Sequence, residues 1–103
     1  MDAAGSFGEE VIELVERIPP GRVLTYGAIR RELGRGSAIG VGGVMARDGH
    51  AVAWWRVVRA DGTLPAHLML DAQEHWRLEG TPMIRGIVDI EAAFWGQGEA
   101  ERP

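Results

Sequence analysis

The chain has 103 residues, a formal net charge of −4 and no cysteine. This length suits one domain that buries a single core without metal or disulfide support, and the lack of cysteine excludes disulfides, thiolate metal sites and a cysteine nucleophile. No apolar stretch approaches the roughly 20 residues of a membrane-spanning helix, and no basic-then-apolar leader precedes the first helix, so we expect an untargeted protein that has no membrane partner.

Charge is distributed unevenly along the sequence. A negative net charge disfavours nucleic-acid binding, because phosphates attract a basic surface. Acidic residues, however, are concentrated near the two ends, whereas the segment from Gly21 to Arg59 holds seven arginines against two acidic residues, an excess of about five positive charges. The middle of the chain can therefore face phosphate. Its arginines are Arg22, Arg30, Arg31, Arg35, Arg47, Arg56 and Arg59.

The first predicted element is an amphipathic helix. Ser6 and Glu9 form a capping box, and apolar residues then recur at helical spacing as far as Ile18. Pro19 and Pro20 cannot continue a helix, so the element ends before them. The charged residues of the pattern fall on the opposite side, which predicts one buried and one solvent-exposed face.

Two short helices are predicted next, after a strand fragment at residues 23–24. Thr25 can cap a helix over Tyr26 to Leu33, which a glycine ends, and Ser37 can cap a third helix that runs to about Ala46. Two short helices joined by a glycine-containing turn predict a helix-turn-helix unit.

The third predicted helix contains Gly40, Gly42 and Gly43, each of which costs about 0.5–1 kcal/mol relative to alanine in a helix interior. Another interaction must therefore compensate for the low helix propensity of these glycines. Either they let the third helix pack closely against the first helix, or they let it approach another backbone such as that of a DNA groove. The sequence leaves both explanations open.

The second half of the chain is predicted to contain one strand and two helices. Ala51 to Val58 is rich in β-branched and aromatic residues and favours a strand or an extended buried segment. Leu64 to Leu70 is predicted as a loop, and Asp71 can cap a helix over Ala72 to Glu79. Asp89 can cap a last short helix, predicted to carry Phe94 and Trp95.

Three stretches, in the same order, resemble the O6-alkylguanine-DNA alkyltransferase family. Residues 20–29 look like the entry into its helix-turn-helix, residues 41–45 like the end of its recognition helix, and residues 54–58 like its active-site strand. Trp54 stands where the family has its alkyl-accepting cysteine, which is the pattern of the alkyltransferase-like proteins. An indole cannot supply the attacking thiolate, so the resemblance implies recognition of alkylated DNA without catalysis.

The resemblance also implies an architecture and partners. We expect a mainly α fold with a small β component, arranged as a winged-helix-like domain over residues 1–103, with a core at about 6–95 and a flexible tail at 96–103. The implied partners are duplex DNA containing O6-alkylguanine, flipped into a pocket, and nucleotide excision repair proteins. No cofactor or metal is expected, and the protein is expected to be a cytoplasmic monomer, associated with the nucleoid if it is prokaryotic.

Several site residues are carried over from the family by position. Tyr26 matches the tyrosine that lies by the phosphate of the flipped nucleotide and helps to rotate it. The resemblance makes Trp54 the pocket candidate, where its indole either contacts a flipped base or fills the cavity and blocks it. Adjacent side chains of an extended segment point to opposite faces, so Trp55 would then pack in the core. Arg56 is retained, either to contact phosphate or to pair with a carboxylate or a helix end. The remaining predicted DNA contacts are Gly42, Gly43, Trp55, Arg30, Arg31 and Arg35.

Three departures from the family pattern bear on function. Ile39 replaces the arginine that enters the base stack, and it is either an apolar wedge or a buried core residue. Trp55 replaces the histidine that activates the thiol, and Gln73 falls near the glutamate that orients this histidine, so the resemblance implies that the whole proton relay is lost. Ile39 and the acidic ends favour an alternative function, a binding or interaction module that kept the fold and lost lesion recognition.

His50, His67 and His75 do not have metal-ligand spacing.

Overall fold

A computed structural model describes residues 6–96 of the chain. Helices dominate this range and two small two-stranded sheets accompany them, which confirms the predicted mainly α fold with a small β component. The elements are α1 (Phe7–Arg17), β1 (Leu24–Thr25), α2 (Tyr26–Leu33), α3 (Ala38–Asp48), β2 (Val57–Val58), α4 (Ala66–Glu79), β3 (Met83–Ile84), β4 (Ile87–Val88) and α5 (Ile90–Ala93). Apart from residue 96, the tail predicted to be flexible lies outside the described residues.

The first three helices begin where their capping residues predict. Ser6, Thr25 and Ser37 each accept a hydrogen bond from the backbone N–H three residues later. Gly34 ends α2 in the left-handed conformation that glycine adopts without strain. The helix-turn-helix of α2 and α3 is therefore confirmed, with α3 extending to Asp48, two residues beyond the predicted end.

Two adjoining apolar clusters form the core. The first lies among α1, α2 and α3 and is centred on Val15, Ile29 and Val41, and the second surrounds Trp76 of α4. Strand β1 pairs in parallel with β2, with Leu24 opposite Val57. This pairing brings the residues just before β2 alongside the chain that enters α2, and so connects the helix-turn-helix to the aromatic segment.

Two predictions for the second half are wrong. Ala51 to Val58 is not one strand, because 3-10 turns occupy Gly49–Ala51 and Trp54–Arg56 and only the last two residues pair as β2. The predicted loop at Leu64 to Leu70 becomes helical from Ala66 onward, after Pro65, which suits a helix start. Asp71, the predicted cap, consequently lies inside α4.

The C-terminal prediction also needs correction. Helix α5 ends at Ala93, and Phe94 and Trp95 leave it to pair with the chain at Val23, whose carbonyl accepts a hydrogen bond from the Trp95 N–H. The β3–β4 hairpin, turning at Arg85 and Gly86, was not predicted. No helix within residues 6–96 has the length and apolar character needed to span a bilayer.

Candidate nucleic-acid interface

An open cavity of about 320 Å³ lies between α3 and the start of α4. Its floor and walls are largely apolar, with a phenol, an indole and two imidazoles as the groups able to hydrogen-bond or stack. It is lined by Tyr26, Gly42, Met45, Ala46, His50, Trp54, Leu64, Pro65, His67 and Leu68. The cavity therefore unites three residues predicted for the site, Tyr26, Gly42 and Trp54, with the segment from Leu64 to Leu68, part of which the resemblance places in the region of the family's pocket loop.

Tyr26 is the first residue of α2 and is half-buried at the cavity. Burial raises the pKa of its phenol, and the nearby positive charge of Arg59 offsets only part of that rise. The hydroxyl is therefore protonated at neutral pH and can donate a hydrogen bond. A donor at a helix N-terminus is suited to contact a phosphate, since the helix dipole adds positive potential there.

The two adjacent tryptophans lie in a 3-10 turn, and only one of them lines the cavity. Trp54 contributes to the wall, whereas Trp55 packs against His75 at a ring-centroid distance of 3.6 Å. This is the division of roles that the sequence analysis expected, but the expected reason was wrong, because the segment is not an extended strand. Contact of either indole with DNA stays a prediction.

Arg56 and Glu79 form a largely buried ion pair next to this turn. The Arg56 Nε and Nη2 atoms donate to the two carboxylate oxygens at 3.1 and 2.6 Å, and its Nη1 donates to the Ile18 carbonyl at 2.9 Å. Their side chains are 16% and 14% exposed. Of the two roles considered for Arg56, the contacts favour pairing with a carboxylate over contact with phosphate.

The side chain that contacts Trp55 is Glu79 and not Gln73, the residue expected near the family's glutamate position. Gln73 donates its side-chain N–H to the Gly86 carbonyl at 2.9 Å and supports the hairpin. Glu79 instead accepts a hydrogen bond from Trp55 Nε1, at 2.9 Å, and the resemblance places Trp55 at the family's histidine position. A carboxylate therefore lies next to that position, contrary to the expectation that the whole relay is gone.

Glu79 also connects three segments of the fold. Besides Arg56 and Trp55, it accepts a hydrogen bond from the Gly21 backbone N–H at 3.1 Å. Burial raises the pKa of the Glu79 carboxyl, but the hydrogen bonds from Arg56, Gly21 and Trp55 outweigh burial and hold the pKa below its usual value. The carboxylate consequently joins α4, the turn after α1 and the Trp54–Arg56 turn in its charged form.

Acid is expected to destabilise the domain through this carboxylate. Because the pKa of Glu79 is lower in the folded state, its contribution to the free energy of unfolding is complete above the ordinary pKa of 4.5 and is lost as the pH falls through the folded-state value. Urea unfolding at a series of pH values should show this loss, and it should be smaller in Glu79→Gln. An identical pH dependence in the two proteins would show that Glu79 does not carry the effect.

Ile39 is the second residue of α3 and its side chain is 88% exposed. The alternative that it is a buried core residue is therefore wrong. Residues three and seven positions later on a helix share one face, so Ile39 continues the face on which Gly42 and Ala46 line the cavity. A large apolar side chain thus projects into solvent on the helix face that also lines the cavity.

The glycines of α3 divide between the two explanations offered for them. A Cβ atom on Gly40 would lie 3.2 Å from the Ser37 hydroxyl and 3.4 Å from the Phe7 ring, so this glycine lies where α3 meets its own capping residue and α1. A Cβ atom on Gly42 would meet nothing within 4 Å, and one on Gly43 would meet only Arg47 of its own helix. These two glycines therefore leave a shallow, open helix face that another backbone could approach.

The three arginines predicted for a DNA surface have different surroundings. Arg30 lies one helical turn after Tyr26 and its Nε donates to the Gly36 carbonyl at 3.3 Å. Arg31 lines a separate groove beside Phe94 and Trp95. Arg35 pairs with Glu10 of α1 at 3.2 Å, which offsets its charge. The positive segment is therefore not one continuous patch around the cavity.

A family model and two curated relatives match part of this chain. Residues 6–81 match the family model described as the DNA binding domain of 6-O-methylguanine DNA methyltransferase. A DNA base-flipping protein of Escherichia coli strain K12 and one of Shigella flexneri are each 39% identical over 67 residues, covering 62% of this chain and 52% of the relative. The chain thus spans about half the length of the curated relatives it matches.

Two solved structures share the fold over nearly their whole length. The crystal structure of S. pombe Atl1 in complex with damaged DNA containing O6-carboxymethylguanine superposes with a TM-score of 0.77 at 25% identity. A structure of S. pombe ATL in complex with DNA gives a TM-score of 0.74 at 26% identity. Each match covers 93% of this chain and 99% of the other.

Proposed function

Because the chain belongs to the 6-O-methylguanine DNA methyltransferase DNA-binding family, we propose that it recognises O6-alkylguanine in duplex DNA by flipping the base out, without transferring the alkyl group. The relatives support base flipping and binding to damaged DNA, since those are the properties that their names state. The single observation that carries the proposal for this chain is the exposed Ile39 on the helix face that leads to an open cavity.

In the proposed complex, α3 lies in a DNA groove with its open glycine face toward the duplex. Ile39 enters the base stack as an apolar wedge, as Ile, Leu, Phe and Met do in proteins that unstack base steps. The Tyr26 hydroxyl donates to the phosphate of the rotated nucleotide. The base enters the cavity beside Trp54, where the indole stacks on or edges against the purine and apolar walls accommodate an alkyl substituent.

The proposal excludes alkyl transfer because the sequence has no cysteine. In the resemblance, Trp54 occupies the position of the alkyl acceptor, and indole carbon is not a nucleophile comparable to a thiolate. Trp55, which in the resemblance replaces the histidine that activates the thiol, donates a hydrogen bond to Glu79, and Glu79 also pairs with Arg56. We therefore propose that Trp54 contacts the base at the position where the family has its alkyl-accepting cysteine.

Duplexes that differ by one O6-methylguanine test the proposed function directly. Fluorescence titrations should give tighter binding to the modified duplex, because the alkyl group of the extruded base adds apolar contact with the cavity walls. With an isotopically labelled methyl group, all label should remain on the DNA. Equal affinity for the two duplexes would reject lesion recognition and favour a module that kept only the fold, and label on the protein would reject the non-catalytic role.

Arg30→Ala is expected to reduce the salt dependence of DNA binding more than Arg35→Ala. Arg30 lies on the Tyr26 side of α2, whereas the charge of Arg35 is already offset by Glu10. Loss of one phosphate contact lowers the slope of log affinity against log salt by about one unit. Titrations of undamaged duplex at several salt concentrations measure this slope. Equal slopes for both variants and wild type would place the phosphate contacts elsewhere.

A lesion that is bound but not reversed needs another system to remove it, and we propose nucleotide excision repair as that system. The support for this step is the family resemblance together with the missing acceptor cysteine. Purified excision nuclease components, supplied with a duplex carrying one O6-methylguanine, should incise faster when this protein is added. An unchanged incision rate at concentrations that saturate the lesion would remove excision repair from the proposal.

A further inference from the structure

We propose that Trp55 and His75 act together as positioning residues that hold Trp54 as a wall of the cavity, and that they thereby set the preference for an alkylated base. The inference rests on the proposed function and deepens it, since it names residues outside the cavity lining that determine how selective the lining is. Three aromatic side chains from two elements carry it, the 3-10 turn before β2 and helix α4.

The ring geometry places Trp54 beside a stack of two rings. Trp55 and His75 are parallel to within 5° at a centroid distance of 3.6 Å. The Trp54 ring lies 5.5 Å from Trp55 and 5.8 Å from His75 and is turned by 85° and 80° from them. Trp54 is almost equidistant from the two stacked rings, so it contacts the edges of both rings and not the outer face of either. Perpendicular aromatic contacts of this kind are favourable, since positive ring edges meet a negative ring face.

The stack is itself held firmly by α4. Trp55 Nε1 donates to the Glu79 carboxylate at 2.9 Å, and the Trp55 carbonyl accepts a hydrogen bond from Trp76 Nε1 at 2.7 Å. Trp76 is fully buried in the second core cluster. Hydrogen bonds to α4 therefore fix both the indole and the backbone of Trp55. His75 lies on the same helix, α4, and stacks on the indole. The perpendicular contacts transmit this rigidity to Trp54.

A fixed Trp54 matters for selectivity because ordering a side chain on binding costs free energy. If the ring were free to change rotamer, the cost would be incurred when the base enters the cavity and would weaken lesion binding. Contacts between the DNA backbone and the helix-turn-helix would not change. The stack is therefore expected to affect the ratio of affinities for modified and unmodified duplexes, with little effect on general DNA affinity.

His75→Ala and His75→Phe separate positioning from simple packing. In His75→Ala we expect the affinity ratio for O6-methylguanine duplex over unmodified duplex to fall by roughly three- to tenfold, the value of one aromatic contact. Affinity for unmodified duplex and its salt dependence should stay the same. His75→Phe retains a flat ring and should keep the wild-type ratio. The exciton circular dichroism of the Trp54 and Trp55 pair, identified by its loss in Trp54→Phe, should diminish in His75→Ala and persist in His75→Phe.

Leu78→Ala is the matched control, because Leu78 is 75% exposed on the same helix and one turn from His75. It should leave both the affinity ratio and the exciton signal unchanged. A wild-type ratio in His75→Ala would overturn the inference and leave the proposed function intact, as would equal losses in His75→Ala and His75→Phe. If the wild-type protein shows no preference for the modified duplex, the proposed function fails first, and the inference fails with it.

Discussion

Replacing Glu79 with alanine is expected to lower the free energy of unfolding by about 3–5 kcal/mol, the range found when one partner of a buried ion pair is removed. The substitution leaves the largely buried Arg56 guanidinium without its carboxylate and removes the acceptor of the Gly21 and Trp55 N–H groups. A charged group and two donors then lose their partners together, which explains why the expected effect exceeds that of most single substitutions. Urea denaturation monitored by tryptophan fluorescence measures it.

Glu74→Ala provides the control, since Glu74 lies on the same helix and pairs with Arg77 where both side chains are exposed. Exposed pairs contribute about 0–1 kcal/mol, so this variant should unfold almost like wild type. Glu79→Gln removes the charge but keeps the shape, and it should fall between the two alanine variants. Equal stabilities for Glu79→Ala and Glu74→Ala would show that the buried pair is not a principal stabilising contact.

The parts of the fold that the sequence predicts well are those fixed by local chemistry. Capping hydroxyls and glycine stops act within three or four residues, and the three helices that carry Ser6, Thr25 and Ser37 as caps begin where predicted. Helix α4 has no such cap, because Pro65 precedes it and contributes no side-chain hydrogen bond. Pro65 is compatible with a helix start, but without a capping side chain the first six residues of α4 gave no local signal that a helix begins there.

The site is harder to predict because its decisive contacts join distant parts of the chain. Glu79 meets Arg56 across 23 residues and Gly21 across 58. A glutamate just before a helix-ending glycine gives no local sign of burial, so the sequence does not single out Glu79. Trp54 and Trp55 likewise have strand-like composition, but they lie in a turn in which Trp55 accepts a hydrogen bond from Trp76 of α4 and donates one to Glu79. Tertiary contacts here override local preference.

The exposure of Ile39 is also set by tertiary packing and could not be predicted from local sequence. An isoleucine at a helix start is common in cores, so composition alone cannot place it. Its exposure follows from the packing of α3, which buries Val41 and Val44 against the first cluster and turns the Ile39, Gly42 and Ala46 face away from it. A helix of mixed glycine and valine composition gains stability from that one buried face, and its other face remains exposed.

Replacing Ile39 with alanine is expected to weaken binding to an O6-methylguanine duplex by roughly 10- to 100-fold, since the wedge offsets unstacking that costs a few kcal/mol per base step. Ile39→Arg should instead bind the lesion more tightly than wild type, because a guanidinium can donate hydrogen bonds to the orphaned base, as the resemblance implies for the family's arginine. Lesion titrations alongside unmodified duplex separate this gain from the general effect of one added positive charge.

Both Ile39 variants should keep the stability of the wild type to within about 0.5 kcal/mol, because the side chain is 88% exposed and makes no core contact to lose. Melting curves therefore serve as the folding control, and Leu78→Ala, another exposed apolar residue, serves as the binding control. Unchanged lesion affinity in Ile39→Ala, with normal melting, would remove Ile39 from the base stack. Other residues would then have to extrude the base that enters the cavity. The face of α3 that carries Ile39, Gly42 and Ala46 would only contact the DNA groove.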